Sequence, residues 1–349
     1  MPVSAVDSIS PAFQHTKTQL FRPFRLGQWS RLALVGMFAG ELSSGGGCNF
    51  NYPSHTEPAH RHYLLMNLPD WTVLGPLLIL LVVAVPVLWL LFLYVSSRMR
   101  FILFDSLISK RCEIRRMWRE RRDPALQYFV WQIVFSLVML GSLAVLVGIP
   151  AFGAFLLGWF SAPREHLVPL VLGGIFLFFI FLAWLLTSLF VHVFTKDFVV
   201  PQMAMENLSA FDAWRRLWKM LQVEKGAYAG YAGMKLVMAI GAAFAIGVAA
   251  VVVIVILLVP FGGLGAITIL MGRTAGLTWN AVTITLVIVA GCVLLLMILY
   301  AVSLVSVPVI VFFPAYSIYF FAARYPQLGN VVYPPPPPAP LTPSPAPVT

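Results

Sequence analysis

LVPLVLGGIFLFFIFLAWLLTSLFVHVF, Leu167 to Phe194, decides how the rest of the chain is read. No Asp, Glu, Lys or Arg interrupts it, and about 20 such residues are enough for a helix to cross roughly 30 Å of hydrocarbon. A helix that is apolar on every side belongs in the middle of a large protein or in a membrane. Composition chooses between the two. Of 349 residues 60% are hydrophobic and only 10% charged, whereas about a quarter of an ordinary soluble domain is charged. Working outward from this stretch, Thr72 to Ser97, Leu126 to Ile149, Tyr231 to Pro260 and Ala281 to Ser306 have the same character. Each predicts a membrane-spanning helix.

A sixth crossing is expected over Trp29 to Leu42 (WSRLALVGMFAGEL), although it is short and carries Glu41. Charge placement is the reason. With six crossings, 20 of the 23 Lys and Arg fall on the N-terminal side and only Arg61, Arg164 and Arg273 opposite. Short loops with that bias stay in the cytoplasm, so both termini are expected there. The formal charge of +10 sits between apolar blocks rather than on a soluble basic face, which argues against nucleic acid and for anionic lipid headgroups. Met1 to Lys17 lacks the apolar core of a signal peptide, so the first membrane helix is expected to direct insertion.

The fold class that follows is all-α, a polytopic membrane bundle of about six transmembrane helices with basic amphipathic cytoplasmic helices. Its parts are a cytoplasmic N-terminal segment (1–28), a transmembrane domain (29–323) and a disordered Pro-rich cytoplasmic tail (324–349). Pro308 and Pro314 are expected to break the last apolar run, leaving Val309 to Phe321 at the interface. Ala151 to Phe160, after Pro150, reads as a separate aromatic anchor. A threefold repeat of helix pairs is suggested by RPFRLGQW (Arg22 to Trp29), RDPALQYF (Arg122 to Phe129) and EKGAYAGY (Glu224 to Tyr231), spaced by about 100 residues. In the tail, PPPPPAP favours polyproline II and cannot build a core.

Two segments carry the surface chemistry. From Arg98 to Asp123, Arg98, Arg100, Arg111, Arg115, Arg116 and Arg119 alternate with aromatics including Trp118, a pattern that fits either contact with the inner leaflet or a solvated loop that fixes topology. In the second, Leu208, Phe211, Trp214, Trp218 and Leu221 recur at helical spacing with Arg215 and Arg216 on other faces, and Ser209 with Asp212 forms a capping signal. Its apolar stripe meets either lipid or the bundle. Ionisable groups near the membrane are few: Glu41, His192 and Lys235, for which interfacial or capping roles outweigh catalysis. His55, His60 and His62 with Glu57 form a weak metal-ligand pattern, too weak to assign a metal, cofactor or catalytic residue. Cys48, Cys112 and Cys292 lie in three different settings and form no framework. Ala239, Ala243 and Gly247, four apart, read as a packing seam or, alternatively, as one side of a substrate path.

LFRPFRLGQWSRLALVGMFAGELSSGGGCNFNY, from Leu20, and KDFVVPQMAMENLSAFDAWRRLWKML, from Lys196, resemble segments of a poorly characterised group of bacterial multi-pass membrane proteins. The layout is also similar, more distantly, to the membrane domain of glycerophosphodiester phosphodiesterases, whose chemistry resides on a separate soluble barrel. The resemblance implies a bacterial cell inner membrane and supplies no catalytic residues. Three functions stay open: a non-catalytic scaffold or lipid-surface protein, with a protein partner or second copy; a small-molecule transporter or channel subunit; and a lipid-modifying enzyme.

Overall fold

The computed structural model describes residues 4–41, 71–159, 166–274 and 281–333, and every regular element among them is helical. In chain order these are α1 (Ile9–Phe21), α2 (Leu26–Phe38), α3 (Trp71–Ser109), α4 (Ile114–Glu120), α5 (Arg122–Leu156) and α6 (Leu167–Phe194). A π-helical turn, Thr195–Val199, carries α6 into α7 (Val200–Glu206); α8 (Ala210–Val223), α9 (Lys225–Thr274), α10 (Ala281–Ala322) and α11 (Pro326–Val332) follow. Among the described residues five helices are long and apolar enough to cross a membrane, within α3, α5, α6 to α7, α9 and α10. The most apolar stretches of the last four contain no buried residue. The protein is a helical membrane bundle.

Helix length shows where the rest of the chain folds. At about 1.5 Å per residue, the 50 residues of α9 far outrun roughly 30 Å of hydrocarbon. The buried parts of the long helices lie on the side of the basic segments. There the ends of α3, α6 with α7, and α10 pack with the start of α9 and with α1, α2 and α8 into a conventional core. Phe198, Tyr231, Tyr316, Phe320 and Phe321 lie at its centre, all fully buried. α1 is held by Gln19, whose amide donates to the Ser106 carbonyl at 3.0 Å, and by the His15 ring, edge-on to Tyr319.

α2 departs from the expectation of a first crossing. Its 13 residues make about 20 Å of helix, shorter than the hydrocarbon layer. It runs antiparallel to the end of α3: Gln28 donates to the Lys110 carbonyl at 3.2 Å, and the Ala39 carbonyl accepts from Arg100 at 2.6 Å. As far as Glu41, Trp29 to Leu42 therefore belongs to the core beside the basic segments.

Three prolines also behave differently from expectation. α5 passes through Pro150 and ends beyond it, where Gly158 takes a left-handed turn (φ 72°) and the Trp159 amide bonds the Ala154 carbonyl at 3.0 Å. Ala151 to Phe160 is thus, as far as Leu156, the last part of a span. α10 likewise continues through Pro308 and Pro314 to Ala322. A proline in a helix costs about 3 kcal/mol, and burial of Val307, Ile310, Val311, Phe313 and the aromatics beyond outweighs it at up to about 3 kcal/mol per large side chain. Val309 to Phe321 is therefore an internal strut.

Consecutive helices pack in pairs: α2 on α3, α5 on α6, α9 on α10. The seventh residue of each leading helix, Leu32, Tyr128 and Tyr231, is buried. His55, His60, His62 and Glu57, Cys48, and the tail from Pro334 onward lie outside the described residues.

Candidate functional site

Where α6 leaves the apolar zone, its next residues are Thr195, Lys196 and Asp197, with no polar spacer before or after. Neighbouring helical residues point roughly 100° apart, so two adjacent charges reach different partners. Lys196 forms a close ion pair with Glu41 at the end of α2, and Asp197 one with Lys235 on α9. The side chains are nearly closed to solvent, at 7% and 2% exposure for the first pair and 10% and 2% for the second. Tyr231 adds its hydroxyl to Asp197 at 3.0 Å and stacks on Tyr316 with ring centroids 5.1 Å apart. The π-helical turn is pinned by Thr195, whose hydroxyl donates to Val191 and accepts from the Trp214 indole of α8.

Arg100 enters the same cluster from α3. One terminal nitrogen donates to the Tyr128 hydroxyl at 2.8 Å and the other to the Ala39 carbonyl at 2.6 Å. Both partners are neutral. Its Nε is buried with no hydrogen-bond partner among the described residues. Glu41, Arg100, Lys196, Asp197 and Ser317 line a cavity of about 30 Å³ between the helix ends. Three cations and two carboxylates meet here, a formal charge of +1.

Glu41 and Lys235, anticipated near the membrane, are thus brought into one cluster, and His192 is left on the exposed surface of α6. Lys196, Asp197 and Tyr231 were not anticipated, and Arg100 was expected at the lipid surface rather than here. One signal was available: Lys196 and Asp197 stand between two apolar runs, VHVFT and FVVPQMAM, which a solvated loop would not need.

Two residues assigned to lipid turn inward, because the end of α3 is covered on several sides. Arg100 is 5% exposed and so is Arg98. The Arg98 guanidinium lies 5.2 Å from the Tyr94 and Trp118 ring centroids and donates to the Trp118 carbonyl at 2.8 Å, which clamps α4 onto α3. Arg111, Arg115, Arg116 and Arg119 are exposed and Trp118 is half-buried. Arg116 bridges Glu113 and Glu120.

α8 begins as its sequence signalled, with the Ser209 hydroxyl accepting the Asp212 amide at 3.2 Å. Ala210, Ala213 and Leu217 face the core. Arg216 is drawn to Glu206 of α7 at 2.6 Å, so it too serves internal packing, while Trp214 bonds Thr195. That leaves Phe211, Arg215, Trp218 and Lys219 outward, Phe211 62% and Trp218 54% exposed. Phe211 meets Trp131 of α5 edge-on at 4.9 Å, where that helix begins its lipid-facing course.

Among the described residues no group of three His, Cys, Asp or Glu is placed to hold a metal. In comparison with known proteins, a family model described as a family of unknown function (DUF7544) matches residues 3–331. No curated protein and no solved structure matches.

Proposed function

The chain belongs to DUF7544, a family of unknown function, and since membership carries no activity we propose from the geometry that it is a non-catalytic membrane protein whose basic end engages anionic lipid headgroups. The observation that carries this reading is the outer face of α8. Phe211, Arg215, Trp218 and Lys219 are presented together, and Phe211 adjoins the half-buried Trp131 of α5. Aromatic side chains settle at the level of the headgroups, and each nearby Lys or Arg adds about 1 kcal/mol against an anionic leaflet. The exposed Arg115 and Arg119 of α4 extend the same surface. The buried ion pairs fix the ends of α2, α6 and α9 against one another, as a scaffold requires. On this reading the basic face and both termini are cytoplasmic, which is the side the Lys and Arg bias favours.

Reconstitution tests it. In vesicles containing brominated phosphatidylglycerol, tryptophan fluorescence should fall further than in vesicles of brominated phosphatidylcholine. That excess should vanish in Trp218→Phe and shrink in Arg215→Ala/Lys219→Ala. Equal quenching by the two lipids would sink the proposal.

A further inference from the structure

We infer that the cavity between the end of α2, α3, the π-helical turn with α7, and α10 is a binding site for one small monovalent anion of halide size, with Arg100 as its principal ligand. Charge is the first argument. Glu41 is paired with Lys196 and Asp197 with Lys235, while Arg100 bonds only neutral oxygens, Tyr128 and Ala39. An isolated charge taken out of water costs several kcal/mol unless it is compensated. A bound anion neutralises the +1 that the five side chains leave.

The second argument is the donor set. Arg100 Nε is buried with no hydrogen-bond partner among the described residues, and Arg100 lines the cavity with Lys196; the Ser317 hydroxyl on the same wall already donates to the Pro314 carbonyl at 2.8 Å. An arginine N–H with no acceptor is satisfied best by an anion. Size is the third: about 30 Å³ accommodates one or two species of water size, and excludes a phosphate or a lipid headgroup. The two carboxylates on the wall, each held by a lysine, exclude a second anion and leave the arginine side as the seat.

The experiment uses the whole chain in an uncharged detergent without added lipid, so that it is independent of headgroup binding. Chloride is exchanged for gluconate at constant ionic strength and thermal unfolding is followed. The melting temperature should rise saturably with chloride or bromide. Arg100→Lys, which keeps the charge and removes Nε, should raise the half-saturating concentration about tenfold, the effect of one charge-assisted hydrogen bond. Arg115→Gln on exposed α4 should leave it unchanged. Dialysis of the unsubstituted protein against radiolabelled chloride needs no variant to fold, and one ion per chain is expected. Identical melting in chloride and gluconate, an unshifted half-saturation in Arg100→Lys, or no retained label would each overturn the assignment.

Discussion

Lys196 and Asp197 leave one helical turn toward different partners, so a single dipeptide ties α6 to both α2 and α9. Removing one member of a buried pair costs about 3–5 kcal/mol, because the other charge is left uncompensated. Lys235→Met should lower stability by about that much, read by thermal unfolding in detergent. Adding Asp197→Asn should recover part of the loss, since the stranded carboxylate is then gone; a double variant no better than the single would contradict the pairing. His15 offers a pH test in α1. Its ring bonds Tyr319 and Gln19, and burial first, then the nearby Lys110, lowers its pKa below 6.5. Between the two values the unfolded chain binds more protons, so stability rises with pH. The contribution is complete above pH 6.5 and is lost as pH falls through the folded-state value. Protection factors in α1, with observed exchange corrected for its intrinsic pH dependence, should therefore fall from pH 7.5 to pH 5, and His15→Phe should remove that dependence.

α2 and α10 approach each other through a glycine that sequence spacing did not single out. A Cβ at Gly36 would fall within the side chain of Ile310, 2.9 Å from its Cδ1. The Gly247 end of the seam expected on α9 has open space beside it instead. Overpacking of this kind costs about 1–3 kcal/mol, so Gly36→Ala should destabilise the protein by that order. Combined with Ile310→Ala the losses should be sub-additive by at least about 0.5 kcal/mol, and strict additivity in the cycle would show that the helices do not touch there. α8 stands apart because its capped start and helical span agree with its sequence reading, although Arg216 turns to Glu206. A capping serine, a periodic apolar stripe and a basic face are local properties, and tertiary packing altered the division of the stripe between core and surface.

At the scale of the molecule, α1, α4, α8 and α11 gather at one end of the bundle. Single cysteines replacing the exposed Phe13, Arg119 and Val331 should then react with an impermeant maleimide from the same side, the cytoplasmic one, in a chain with Cys48→Ser and Cys292→Ser. Cys112 can stay: it is buried, and burial pushes its thiol up to about 11, so little thiolate exists at neutral pH. Labelling of Phe13→Cys and Val331→Cys from opposite sides would refute the shared placement of the two chain ends.

Sequence by itself determined the membrane class, the five long spans and the one capped amphipathic helix. Hydropathy, charge and capping are sums over neighbouring residues, and a bilayer or a helix end responds to those sums directly. Tertiary structure alone decided that Arg98 and Arg100 turn inward, that α10 survives two prolines, that Trp29 to Glu41 packs beside α3, and that Glu41, Lys196, Asp197 and Lys235 meet. These outcomes depend on which faces of distant helices converge. Burial then makes an ion pair or a proline-bearing helix preferable to the locally favoured alternative, and the identity of the converging face is not written in any one stretch of the chain.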